Sequence, residues 1–196
     1  MATDNAEEFP KSVIERSKQF DNQILRERSR FFAFLLGPGF PKSAQDFRVA
    51  VKEVLEEHGY NGIIMREEPF KASKRSKNPL YDKFWYIVRK YDIQLFICIF
   101  PGDGQTHAVI QEVAYIEERC KSKTAAKLLR FCFSDEFSII ANIPQYTKNL
   151  VDGANTLSFC EGNPACLAWS IERVIDNEIR EIAERKKQYS DCLKKK

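Results

Sequence analysis

Two glycine-bearing stretches hold the residue types that chemistry would use. The first is GPGF, Gly37-Pro38-Gly39-Phe40, directly after the apolar run RFFAFLL. The second is PGDGQTH, Pro101 to His107, directly after DIQLFICIF; it runs on into AVIQEVAYIEE, with Glu112 in its middle. Glycine lets backbone N–H groups approach a bound group closely. A helix that starts after such a loop offers free N–H donors and the positive end of its dipole to phosphate or carboxylate. A carboxylate behind the loop adds a nucleophile or a stabiliser of positive charge. Neither stretch is a Walker A loop, since no G-K-[ST] follows, and neither has G-x-G-x-x-G spacing.

The elements that must position these loops alternate along the chain. Arg30 to Leu36 reads as a buried strand feeding the Gly37-Pro38-Gly39 turn. Ser43 with Asp46 approximates a capping box. Phe47, Ala50, Val51, Val54 and Leu55 then recur at helical spacing before Gly59 supplies the stop. Gly62 to Met65 is a short strand. Arg66 to Asn78 lacks apolar periodicity and reads as a mobile surface loop; its basic run is either solvated or attractive to a phosphate-bearing ligand. Leu80 to Lys90 is a helix, Ile93 to Phe100 the most hydrophobic strand, about Thr106 to Arg119 a helix and Ala126 to Phe133 a fourth strand. A short helix near Pro144 to Val151, a fifth strand over Thr156 to Cys160 and a helix from Pro164 to about Lys187 complete the pattern. An added helix, Phe9 to Arg28, precedes it, and the basic tail reads as frayed.

Strands alternating with helices require a parallel sheet covered on both faces. The expected fold is therefore flavodoxin-like, with strand order 2-1-3-4-5. It spans residues 30–187 as one domain, with a helical extension over 1–29 and a tail over 188–196. Ligands in such sheets bind outside the carboxyl ends of the strands where the order reverses, between strands 1 and 3. That rule brings the two loops together. The expected ligand contacts are Gly37, Pro38, Gly39 and Phe40 from one loop, and Gly102, Asp103, Gly104, Gln105, Thr106 and His107 from the other. Asp103 is equally an ordinary turn residue, and Phe84, Trp85 and Tyr86 are either base-stacking or core aromatics.

With FFAFLLGPGF, then EHGY, then DIQLFICIFPGDGQTHAVIQEVAYI, the sequence resembles the nucleoside 2-deoxyribosyltransferase-like family and its TIR-like relatives in prokaryotic antiviral systems. The resemblance covers roughly residues 30 to 180. It implies a catalytic Glu on the helix after the second loop, here Glu112 in Glu112-Val113-Ala114-Tyr115. That Glu would attack, or stabilise charge at, the anomeric carbon of an N-ribosyl bond. The implied substrate or ligand is NAD or another nucleotide, with no separate cofactor, and the implied partners are a second copy of the chain or an effector. Seven residues separate Gly104 from Glu112, a wider gap than the family's. On the helical wheel Val109, Ile110, Val113, Ala114 and Ile116 form the apolar arc, with Glu112 flanking it and Glu117 nearer its middle. Glu112 is then either reactive or solvated at a helix edge.

Composition narrows the field. A chain of 196 residues with 43% hydrophobic and 30% charged residues is that of a globular protein, and no apolar stretch is long enough to span a bilayer. The net charge of +3 comes from mixed signs, which does not indicate nucleic-acid binding. The six cysteines include no C-x-x-C pair and read as buried reduced thiols, Cys160 and Cys166 among them. Only His58 and His107 are available as imidazoles, so no metal site is expected. The start MATDNAEEFPKS lacks the basic patch and apolar core of a secretory signal, and a cytoplasmic location is expected.

Overall fold

RFFAFLL and DIQLFICIF are apolar without alternation because the strands they form are covered on both faces. The structure, a computed structural model, describes residues 11–102, 106–120, 122–134, 143–151, 155–157 and 162–194. In chain order the elements are α1 (Lys11–Arg28), β1 (Phe32–Leu36), α2 (Lys42–Glu57), β2 (Asn61–Ile63), a 3-10 turn (Met65–Glu67), α3 (Pro79–Tyr91) and β3 (Leu95–Phe100). Then follow α4 (His107–Arg119), α5 (Ser122–Leu128), β4 (Leu129–Phe133), α6 (Gln145–Lys148), β5 (Thr156–Leu157) and α7 (Pro164–Lys194). All four strand pairings among the described residues are parallel and the order is β2-β1-β3-β4-β5, the expected flavodoxin-like arrangement.

Side chains alternate across a strand, so each strand feeds two cores. Phe34, Leu36, Phe96, Cys98, Phe100, Leu129 and Phe131 pack with Phe84, Trp85 and Ile87 of α3 and Val109, Val113 and Ile116 of α4. Phe84 is stacked on both Phe34 (5.3 Å) and Phe96 (5.9 Å). Ala33, Leu35, Ile97, Ile99 and Cys132 point the other way and are equally buried. On that second face lies α2, whose Lys52 stem reaches Gly62 beside Leu35. His58, just past α2, contacts Glu172 of α7 at 2.6 Å, so α7 flanks α2 there. Right-handed crossovers impose this division: a connection to the left of β1 and one to the right of β3 emerge on opposite faces.

Two compact units divide the chain. One is Phe31–Ile175; the other joins α1 to the part of α7 beyond Ile175. Within the second unit Gln23 donates to the Ala183 carbonyl and Arg28 pairs with Asp176 at 2.8 Å.

Several boundaries differ from the sequence reading. β1 starts at Phe32 rather than Arg30, because the end of α1 folds into a turn that engages the Ser29 and Arg30 amides. β2 is Asn61–Ile63, and Met65 has passed into the 3-10 turn, whose Glu67 amide bonds to the Ile64 carbonyl. Ser43 does not cap α2: the cap is Pro41, with no side-chain bond, and Ser43 lies inside the first turn. Ala126 to Leu128 belong to α5 and not to a strand, in keeping with the helix preference of Ala, Lys and Leu. The helix α7 continues to Lys194 where a frayed tail was expected, through a run of Glu, Arg, Lys and Gln that also favours helix. Residues 158–160 of the expected fifth strand lie outside the described residues.

Candidate functional site

The carboxyl ends of β1 and β3 are adjacent: Leu36 pairs with Cys98, and beyond them come Gly37 and the Ile99 carbonyl. This is the point where the strand order reverses. α2 leaves β1 on one face and α4 leaves β3 on the other, and each carries one buried ionisable side chain toward the gap.

From α4 comes Glu112. It is 5% exposed, five residues and therefore about 7.5 Å along the axis from the first helical residue, His107. Depth does not take it out of the site, because the buried face of α4 is Val109, Glu112, Val113, Tyr115 and Ile116. Positions 109, 112, 113 and 116 form one row at spacings of three and four, with Glu112 in it. The wheel read from the sequence is thus rotated, leaving Ile110, Ala114 and Glu117 only half-buried. The cause is Tyr115, which an isolated wheel treats as peripheral. Its ring packs edge-on against Tyr81 (4.8 Å) and Phe84 (5.7 Å) of α3, and its hydroxyl accepts from Asn78.

Glu112 Oε2 is buried with no hydrogen-bond partner among the described residues. Burial pushes the Glu112 carboxyl up to about 8, and the Arg48 charge pulls only partly against it. The same carboxyl acts on the Cys98 thiol. That thiol is held well above its ordinary value by burial first, and then by Cys132 and Glu112. Cys98 and Cys132 are consequently inert packing thiols rather than nucleophiles.

From α2 comes Arg48, a residue the sequence reading did not single out. It is 7% exposed; Nη1 donates to the Gly37 carbonyl at 2.7 Å, and buried Nε has no acceptor among the described residues. Helix side chains lean toward the N-terminus, so a residue in the second turn reaches back under the loop that precedes the helix. Gly37 makes room for it: a Cβ there would lie 3.2 Å from both Cδ and Nη1 of Arg48. Desolvation lowers the Arg48 pKa, with Glu112 and Glu67 opposing that shift and Arg66 adding to it. Arg66, in the turn after β2, is bonded to Gln45 of α2 and brings a second positive charge to this edge. A signal for Arg48 does exist in the sequence. Ala44, Arg48, Val51 and Leu55 are the buried residues of α2 and form one row, whereas Phe47, Ala50 and Val54 are only half-buried.

The expected ligand contacts divide as follows. Gly37 and Pro38 are buried in the loop above Arg48, and Gly39 and Phe40 are exposed, Phe40 at 63%. Gly102 is half-buried, Thr106 is buried just before α4, and His107 is exposed on its first turn. Asp103, Gly104 and Gln105 lie outside the described residues. Of the aromatics considered for stacking on a base, Phe84 and Trp85 belong to the core. The Arg119 guanidinium lies 4.3 Å from the Trp85 ring centre. Trp169 of α7, by contrast, is exposed, with Arg173 over its ring at 5.0 Å. Lys71, Lys74, Arg75 and Lys77 are all exposed. The reading of every cysteine as a reduced thiol fails at Cys166, which is disulfide-bonded; it sits half-buried in the first turn of α7, not in a core that would make it a packing residue. Cys160 lies outside the described residues.

Among the described residues no group of three or more His, Cys, Asp or Glu side chains is placed to hold a metal ion, and no helix is long and apolar enough to cross a membrane. No family model, curated protein or solved structure matches the chain.

Proposed function

We propose that this protein is a nucleotide N-glycosidase that cleaves an N-ribosyl bond with Glu112 as the attacking carboxylate. The observation that carries the reading is a carboxyl group, buried at the β1/β3 switch point, whose Oε2 has no partner among the described residues. A buried unpartnered oxygen costs about 1–3 kcal/mol, so its retention calls for a use outside packing. In the proposed step one Glu112 oxygen bonds to the anomeric carbon as the carbon–nitrogen bond breaks, and the electron pair leaves with the base. Water then hydrolyses the sugar ester, or an acceptor base takes up the sugar in a transferase. The attacking form is the carboxylate, whereas burial favours the acid. A substrate that carries positive charge on its base, as NAD does on nicotinamide, draws Glu112 toward the ionised form. The two glycine-bearing segments that follow β1 and β3, each leading into a helix, suit the phosphates of such a substrate.

Incubation with NAD and with deoxynucleotides, followed by chromatography for free base, tests the proposal. Base release that disappears in Glu112→Gln is the expected result; no release from any of them, or full activity in Glu112→Gln, overturns it.

One observation favours a second reading, in which the domain senses a nucleotide without cleaving it. A carboxyl group pushed up to about 8 is mostly neutral at pH 7, and a neutral acid donates a hydrogen bond instead of attacking. Thermal stabilisation by a nucleotide with no turnover would decide for that reading.

A further inference from the structure

Arg48 is an expensive residue for a fold to keep unless something pairs with it. It is 7% exposed, and among the described residues it has a single hydrogen bond to protein, from Nη1 to the Gly37 carbonyl, and its buried Nε has no acceptor. The carboxyl group that acts on it does not neutralise it. Glu112 approaches from the opposite face of the sheet, makes no hydrogen bond to it, and is itself kept largely protonated by burial. The first turn of α2 lies over the same loop. Its cap is Pro41, which offers no side-chain acceptor, and the 16-residue helix turns its positive dipole end toward that loop. Arg66, bonded to Gln45 in that first turn, adds a further positive charge, which Glu112 and then Glu67 oppose. Buried N–H donors, a helix start without a side-chain cap and a second guanidinium thus converge, and among the described residues no acidic group is bonded to Arg48.

We propose that Arg48 and the first turn of α2 form a binding site for one phosphoryl group, with Arg48 Nε as a direct donor and Arg66 as a flanking charge. The planar guanidinium fork suits tetrahedral oxyanions, and charge-assisted bonds of this kind are stronger than neutral ones. Gly37 is part of the device, because any side chain there presses on the Arg48 stem and Nη1. The site goes beyond the N-glycosidase reading and does not depend on it. It separates phosphorylated ligands from plain nucleosides, whatever Glu112 then does.

Calorimetric titration of the full chain with inorganic phosphate, ribose 5-phosphate and ribose tests the proposal. Both phosphates are expected to bind and ribose is not. A larger affinity for ribose 5-phosphate marks the group as part of a nucleotide, and equal affinities mark it as free phosphate. In Arg48→Met binding should weaken tenfold or more, in Arg48→Lys less, and in Arg66→Gln only a few-fold. Failure of both phosphates to bind, or unchanged affinity in a folded Arg48→Met, overturns the site. Should Arg48→Met not fold, the wild-type Nε–H resonance of Arg48 decides: it must shift on phosphate saturation, and saturation without a shift refutes direct donation. Glu112→Gln supplies a second check. Ionised Glu112 competes with the phosphate for Arg48, so the affinity gain of Glu112→Gln over wild type should grow as pH rises through about 8. The two proposals fail separately, because in the wild-type chain phosphate binding is read without any turnover and base release from a deoxynucleoside is read without any phosphate.

Discussion

Arg48 and Glu112 enter the gap at the carboxyl ends of β1 and β3 from opposite faces of the sheet, both at least nine-tenths buried, and they feel each other's charge without sharing a hydrogen bond. A close ion pair would have satisfied both groups and left little for a ligand to do. Separation instead leaves an acid that is hard to ionise and a cation with spare donors. The next three predictions follow from that arrangement.

Stability should fall with pH in a window set by Glu112. Its carboxyl is raised from 4.5 to about 8, so between those values the folded chain binds more protons than the unfolded one. The stability contributed by this group is therefore full below about 4.5, declines as pH rises, and is lost above about 8. Glu112→Gln has no such group to ionise. Its melting temperature relative to wild type should rise between pH 5 and pH 9, by roughly 10 °C at the upper end given several kcal/mol of linkage. Parallel melting curves for the two proteins across that range would show that the carboxyl group is not buried as described.

Removal of the Arg48 charge should move the Glu112 titration upward. Among the described residues Arg48 is the one group that lowers the Glu112 value, so Arg48→Met removes that opposition to burial. The same change deletes the donor at 2.7 Å from the Gly37 carbonyl and costs about 1.5–3 kcal/mol of stability. Carbon-13 NMR of the labelled carboxyl group reads the midpoint directly, and a downward movement would contradict the through-space coupling.

The pH dependence of base release should depend on substrate charge. For a neutral deoxynucleoside kcat/KM rises with pH to a plateau, with a midpoint near 8, because the attacking form is ionised. For a substrate with a cationic base the midpoint in kcat lies lower, since bound positive charge favours the carboxylate. Identical midpoints for the two substrates in both kcat and kcat/KM would remove Glu112 from the step.

Away from the site, Phe84→Ala should be among the costliest single changes in the sheet domain. Phe84 is fully buried between Phe34 and Phe96, and its removal opens a cavity in the face that positions α4. A loss of about 3–5 kcal/mol in denaturant unfolding is expected. Loss under about 1 kcal/mol would mean that the neighbouring rings close over the gap.

The sheet was legible because its information is local and repetitive. Buried parallel strands are apolar throughout and here run into glycine loops, so RFFAFLL-GPG and DIQLFICIF-PGDG declare themselves, and the order matches one of the common doubly wound patterns. Glu112 was legible as a candidate on the helix after β3, but its inward direction was not. That direction is set by Tyr115 meeting Tyr81 and Phe84, a contact between helices some 30 residues apart in sequence. Arg48 was missed for a related reason. An arginine in an amphipathic helix is ordinarily a solvated residue, and only the row from Ala44 to Leu55 marks this one as buried. Cys166 shows the opposite limit: spacing without a C-x-x-C pair gave no hint of its disulfide.

The two tryptophans equip the chain with an optical readout that needs no label. Trp85 lies in the core against α4 under the Arg119 guanidinium, whereas Trp169 stands 58% exposed on α7. Acrylamide should quench the red-edge emission of Trp169 and spare the blue-edge emission of Trp85. In Trp169→Phe, a wavelength shift on adding nucleotide would then report the α3–α4 wall alone, the wall from which Glu112 projects.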